Sequence, residues 1–568
     1  MPSMEDTGSA PPTVTNSKDN VDNDNDHGGG KGARFWVILC ALILSLFFAV
    51  LEAYSVSPAL PVIVSDLRAD EFVWVASAYG IASTALLPLS GCLAEVYGRR
   101  PIMLISVALF ALGGAIAGAS QSMNMLIGGR VVQGAGAGGI FTLAQVILSD
   151  LVSLKERGTY NGLFGLTWAI AGCVGPIIGG AFAHHTTWRW IFYMTVISSG
   201  IVAAIMIAFL RLDKPSSVTL SEALVRLDAI GNTLIIGATC AIVLGLTWGG
   251  VVFPWTSYQV LVSICVGGAA LLSFLLYEWR FCQYPAVPFY LLSNRTSLSG
   301  YAQISLAAFI NLTLLCTPRF SFSSLSVPVV NLSAPDYLPV YYQACKDASP
   351  TASGVDLLAL FVSVGPPTII TGASIAITKR YRPQLWLAWC FILLGLGLLS
   401  SVTESTRRAA SIGFQVPIGV GIGMIYAAAY FPVLAPLPPT SNAPALALFV
   451  FLRTFAQIWG ATIGGAVLQN GVQGKLPPSV QATLPGLNNV VYAVVPLIPT
   501  MQQPAKDIVR RAFAESFQTV WRILIGVAGA GLIASLGMKA LPLHTQRNIT
   551  LSEAKGKAAE EVAVEEVK

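Results

Sequence analysis

Two ionisable side chains stand where ionisation is expensive. Glu52 and Arg130 each fall inside a run of apolar residues, and a charge at such depth costs several kcal/mol unless it is paired or hydrated. A carboxyl group removed from water holds its proton more tightly, which suits a group that must gain and lose one proton per cycle. Glu52 is the clearest carboxylate inside such a run, so reversible proton binding is the chemistry it points to. Arg130, Gln133, Arg453 and Gln457 are further polar groups at depth, candidates for lining a cavity. Catalytic chemistry has little support: four His are scattered, nine Cys include no CxxC pair, and neither a metal-ligand cluster nor a disulfide framework can be read. A GxxxxGK[ST] phosphate loop is also missing, which argues against direct ATP drive and for an ion gradient as energy source.

The elements that must position these residues follow from composition. Charged residues are 11% of 568 and apolar residues 54%, with a mean hydropathy of +0.68. Ordinary soluble domains carry roughly 25% charged residues, so the chain lacks a soluble protein's surface. Its apolar residues fall in blocks of about 20, the length that spans a hydrocarbon core as a helix. Lipid offers no hydrogen bonds to the backbone, so such blocks imply a helical bundle. The net charge of +5 is spread out and gives no sign of nucleic-acid binding.

Fourteen apolar blocks are expected to span, at about 35–57, 72–94, 101–120, 123–150, 160–183, 189–210, 229–248, 257–278, 297–316, 354–378, 384–402, 411–435, 445–468 and 518–538. Residues 1–34 and 541–568 read as cytoplasmic tails, the first disordered, and the polar N-terminus shows no cleavable signal peptide. Lys and Arg are about threefold more numerous in the short loops on the N-terminal side of the membrane than in those opposite, which places both termini inside. An internal repeat supplies the architecture. Gly134, Gly136 and Gly138 recur 285 residues later as Gly419, Gly421 and Gly423, and Gly175 to Gly180 meets Gly460 to Gly465 at the same offset. The expected organisation is an all-α membrane protein with a six-helix bundle over 35–212, an inserted helix pair over 213–283 and a second six-helix bundle over 284–540.

At this point a family resemblance becomes specific. Gly91-Cys92-Leu93-Ala94-Glu95-Val96-Tyr97-Gly98-Arg99-Arg100-Pro101 resembles the loop 2–3 signature of the major facilitator superfamily, which usually has Asp where Glu95 stands. The resemblance implies a cytoplasmic latch made of Gly91, Glu95, Gly98, Arg99 and Arg100, a charge cluster that holds two bundles in one state and releases them in the other. Leu126 to Gly134, with Arg130, looks like the family's fourth-helix motif. Ala171 to Gly180 is similar to the fifth-helix motif of its antiporters, with Gly175, Pro176, Gly179 and Gly180 as the motif residues. Leu51 to Pro61 resembles the first-helix motif of the fourteen-span drug:proton antiporters, with Glu52 at a position where Asp is usual. Trp188 to Tyr193 also fits that subfamily, or is an interfacial aromatic belt.

The resemblance implies proton-coupled efflux of hydrophobic small molecules such as drugs, toxins or secondary metabolites, as in fungal multidrug and mycotoxin pumps. The implied partners are protons, lipid and a small hydrophobic substrate, in a monomeric chain at the plasma membrane, with the vacuolar membrane as alternative and no cofactor beyond the proton gradient. A solute importer, for a siderophore or basic amino acid, is the first rival, although a charged substrate asks for more intramembrane charge than the sequence displays. A non-transporting membrane sensor is the second. Among the Asn-X-Ser/Thr sequons only Asn331 falls in an outer loop, where glycosylation is possible. It lies in an anomalous stretch, 317–336, that interrupts the repeat and reads either as a loop insertion or as a short intron translated in frame. Sequencing the transcript separates the two: a spliced message omits the stretch, and its presence in every clone removes the intron reading.

Overall fold

A computed structural model describes residues 32–67, 73–210, 227–249, 253–282, 285, 287–315, 337–348, 350–438, 441–476 and 495–543. The stretch 317–336 with Asn331, and nearly all of both tails, lie outside them. The apolar runs fold as α1 (Ala33–Leu67), α2 (Val73–Tyr97), α3 (Arg99–Gly118), α4 (Met123–Leu151), α5 (Leu154–His185) and α6 (Trp190–Phe209). The inserted pair is α7 (Ala229–Trp248) and α8 (Tyr258–Arg280). Then come α9 (Arg295–Leu315), α10 (Pro350–Thr378), α11 (Arg382–Ser400), α12 (Arg408–Leu434, broken at Phe414 and Ala429), α13 (Asn442–Lys475) and α14 (Ala505–Leu536). Among the described residues, 13 of these helices are long and apolar enough to cross a membrane. The fourteenth, α9, carries Gln303 and Asn311, and the bundle absorbs both: Trp389 Nε1 donates to Gln303 Oε1 at 3.1 Å, and Asn311 Nδ2 to the Tyr426 hydroxyl at 2.9 Å.

Two helices run well past their apolar blocks, the first by continuing to Leu67 and the last by starting early. The last begins at Ala505 rather than near 518, and its polar first turns dock on a short helix, Tyr337–Lys346. There Arg510 donates to the Cys345 carbonyl, and Lys506 pairs with Asp347 at 3.2 Å. Hydropathy marks the length of helix in lipid, whereas tertiary contacts decide where the helix ends.

The glycine repeat is a packing device. A Cβ on Gly134 or Gly138 would collide with the backbone of α2 at Tyr79 and Ser83, and one on Gly136 with α3 at Phe110. In the second half, Gly419 and Gly423 meet α10 at Leu360 and Val364, and Gly421 meets α11 at Ala388. Gly175 and Gly179 press on α1 at Leu51 and Ser55, as Gly460 presses on α9 at Phe309. Equivalent glycines therefore seat equivalent helices, with α1–α6 matching α9–α14. The pair α7 and α8 packs on itself, and α7 touches α2 and α13. Buried apolar residues form clusters within α1–α6 (Phe110, Leu143 and Met206; Val56, Trp188 and Phe192) and a large cluster centred on α9–α14 (Trp389, Phe517 and Trp521).

The two halves meet along α5 and α10. On the side of the α2–α3 and α4–α5 turns, cytoplasmic by the loop charges, Gly158 and Gly372 bring the two backbones together and Gly162 faces Ile369. Gly91 of α2 abuts Ala447 of α13 on the same side. The conformation is therefore closed at its inner ends. Gly372→Leu is expected to wedge that seam open and reduce transport by roughly tenfold or more, because overpacking a backbone contact costs about 1–3 kcal/mol. A cysteine introduced beside Gly158 should then label faster from the cytoplasmic side.

Candidate functional site

Glu52 of α1 and Arg130 of α4 form an ion pair deep in the first bundle. Both are essentially inaccessible, at 0% and 1% exposure. The guanidinium is held on several sides: its Nη1 donates to Glu52 Oε1 and, at 2.9 Å, to Gln133 Oε1. Its Nε donates to the Val75 carbonyl at 2.9 Å, and its plane lies 4.3 Å from the centre of the Tyr79 ring. Tyr79 in turn donates to the Ala49 carbonyl at 3.1 Å, and Gln133 Nε2 reaches Thr195 Oγ1 of α6 at 3.4 Å. One network thus joins α1, α2, α4 and α6. The other carboxylate oxygen, Glu52 Oε2, is buried and accepts no hydrogen bond among the described residues.

Local sequence explains this packing. Gly113 and Gly114 let α3 close over Gln133 and Thr195, where a larger residue would collide. Gly175 and Gly179 of the fifth-helix motif let α5 seat against α1 at Leu51, Tyr54 and Ser55, where Ser55 Oγ donates to the Gly175 carbonyl at 2.9 Å. Pro176 is buried beside them, while Gly180 faces open space. The carboxylate helix is thereby clamped between α4 and α5. The second half repeats the geometry without the charge. Gln415, which stands 285 residues beyond Arg130, is buried, donates to the Asp356 carbonyl at 3.3 Å as Arg130 does to Val75, and bonds the Tyr342 hydroxyl at 2.7 Å.

The latch residues sit around the turn from α2 to α3. Gly98 takes φ 94°, a conformation that favours glycine, and caps α3. Arg99 pairs not with Glu95 but with Asp150 at the end of α4, at 3.2 Å, and Arg100 Nη2 donates to the Ile207 carbonyl of α6 at 2.7 Å. Glu95 is exposed and holds no ion pair among the described residues. The turn at Gly98 aims the arginines at the ends of α4 and α6, and Asp150 is far from them in sequence, so spacing alone could not identify it. Tyr79, Thr195 and Ser55 were likewise missed; their only signal was a polar atom inside an apolar run.

Arg453 and Gln457 belong to a separate group on α13. Arg453 lies over Trp168 of α5 and Tyr426 of α12, at 4.4 and 5.0 Å from the ring centres, and Gln457 stands one turn further along α13. Elsewhere, ligand atoms of Asp228, Glu278 and Cys282 lie within 4.8 Å of one another, with Asp228 acting as the cap of α7 through the Gly231 N–H.

Outside the spanning part of α1, Asp66 receives hydrogen bonds from Arg189 Nη1 at 2.7 Å and Trp188 Nε1 at 3.0 Å. Trp188 is buried, so it works here as a clasp rather than as a belt anchor. The bonds from Arg189 and Trp188 hold the Asp66 carboxyl below its ordinary value of 3.8. A depressed carboxyl stabilises the fold above its unfolded value and loses that contribution as pH falls through the folded one. Asp66→Asn should therefore lower the melting temperature at neutral pH, modestly because such exposed pairs contribute about 0.2–1 kcal/mol. The difference from wild type should shrink towards about pH 3.

Comparison with known proteins agrees with this architecture. The sequence profile of the Major Facilitator Superfamily matches residues 42–461, more than half of the chain. The efflux pump FUS6 of Gibberella fujikuroi is 35% identical over 91% of each chain. The MFS-type efflux pump LUC4 of a Fusarium species is 34% identical over 94% of this chain and 92% of its own. Among solved structures, the human organic anion transporter MFSD10 superposes with a TM-score of 0.53 at 12% identity, covering 88% of this chain and all (100%) of that one. The proton:xylose symporter XylE does so with a TM-score of 0.51 at 11% identity, over 90% of this chain and 97% of its own. At such identities the likeness concerns the fold.

Proposed function

The chain belongs to the Major Facilitator Superfamily, and from that premise we propose that it exports hydrophobic small molecules, such as toxins or other secondary metabolites, in exchange for protons. The observation that carries the coupling is Glu52: a fully buried carboxylate with one oxygen in an ion pair and the other unbonded. Relatives that align over most of both chains are named efflux pumps, which supports the outward direction.

A proton arriving at Glu52 neutralises the partner of Arg130. The arginine keeps its bonds to Val75 and Gln133 and its place over Tyr79, so the link that weakens is the one between α1 and α4. Removing one partner of a buried pair costs roughly 3–5 kcal/mol, enough to reverse a two-state preference of a few kcal/mol. Because α1 is also clamped to α5 through Gly175 and Gly179, and α5 runs along α10, a shift of α1 reaches the seam between the halves. At the inner face, the Gly91–Ala447 contact joins the two halves as the latch, and the Arg99–Asp150 pair braces α3 on α4 beside it. Substrate binds between the halves near the midplane, the proton gradient supplies the energy, and the working unit is a monomer at the plasma membrane.

Glu52→Gln should leave less than about a tenth of proton-driven export in everted vesicles. Glu52→Asp should retain part of it, with its pH optimum moved. Undiminished gradient-driven export by correctly folded Glu52→Gln would overturn the assignment of Glu52.

A further inference from the structure

Arg130 and Arg453, both well inside their spans, differ in what stands beside them. Arg130 is matched by Glu52. Arg453 forms no ion pair among the described residues, and its buried Nε has no hydrogen-bond partner there. It stands about 16 Å along α13 from Asn442, near the middle of a hydrocarbon layer about 30 Å thick. Its guanidinium touches both halves, through Trp168 on α5 and Tyr426 on α12. Tyr426 is also the one partly accessible residue between Gly421 and Ala435, and Arg453 is itself partly accessible. Both therefore lie, partly accessible, where α5 of the first half faces α12 and α13 of the second.

Arginine cannot discard its charge, since its proton is lost only at extreme pH, and it offers N–H donors in a planar fork that fits a carboxylate. Aromatic faces compensate a buried cation only in part, so this cation retains the capacity to take an anionic partner. Resting on the export reading above, we propose that Arg453 anchors the acidic group of the exported molecule. The substrates are then amphipathic organic anions, with a carboxylate or acidic enol on the guanidinium and a flat apolar body against Trp168. The Tyr426 hydroxyl, which accepts from Asn311 Nδ2 at 2.9 Å, and Gln457, one turn from Arg453 on α13, supply neutral hydrogen-bonding groups beside it. A count of intramembrane charges in the sequence argues against charged substrates. The structure removes that objection, because Arg130 is consumed by Glu52 and Arg453 is not consumed by anything described.

The test uses purified full-length protein in lipid nanodiscs at about pH 7.5, titrated with pyrenebutyrate and with the neutral analogue pyrenebutanol, and read by quenching of tryptophan fluorescence. Wild type should bind the anion about tenfold or more tightly than the alcohol, the value of one hydrogen bond to a charged group. R453Q should bring the two affinities together by weakening pyrenebutyrate alone, and R453K should keep part of the preference. Absence of anion binding or of the preference in wild type, or its survival in R453Q, overturns the proposal. If R453Q binds neither probe, R453K decides: a retained preference supports the site and a lost one overturns it. Proteoliposomes with an imposed proton gradient test export separately. Pyrenebutyrate that binds through Arg453 but is not moved by the gradient defeats export and leaves the anion site standing.

Discussion

Hydrocarbon solvates neither a peptide group nor a charge, and most of this structure is a response to that fact. Many hydroxyls find partners within their own helix: Ser45 donates to the Leu42 carbonyl, Thr142 to Gly138 and Thr313 to Phe309. Side chains too long or too polar for that solution bond across helices, as Arg130, Gln303 and Gln415 do. These cross-helix bonds fix which helices are neighbours. Two of the buried polar atoms left without a hydrogen bond among the described residues, Glu52 Oε2 and Arg453 Nε, are the ones on which the proposed proton and ligand steps rest.

Within that constraint the duplicated architecture is conserved in shape and divided in chemistry. Glycines at matching positions bring matching helices to backbone contact in both halves. At the position equivalent to Arg130, however, the second half has neutral Gln415, which preserves the bond to the neighbouring backbone without a charge. On the proposed function, proton exchange falls to the first half, while Arg453, from the second half, reaches Trp168 of the first.

Much of this was legible from residue order. Blocks of about 20 apolar residues follow from bilayer thickness, and the repeat of Gly134, Gly136 and Gly138 as Gly419, Gly421 and Gly423 divided the chain into six, two and six helices. Glu52 and Arg130 stood out because charge is rare in such blocks. The early start of α14 was not legible, since its first turns are polar and their reason is a contact with Tyr337–Lys346. Nor was the acid that serves Arg99: Glu95 is nearer in the chain, but Asp150 is nearer in space.

By itself, then, the sequence determined that the chain is a duplicated helical membrane bundle and which side chains pay a penalty for being in it, because hydrophobic thickness and helical length are properties of local composition. Tertiary structure alone decided which charge meets which. Glu52 and Arg130, 78 residues apart, form a closed pair, while Arg453 lies against rings from both halves. Pairing is set by helices distant in sequence and brought together by glycine contacts. A charge's depth in the membrane can be counted along the chain; whether it is neutralised depends on what lies across from it.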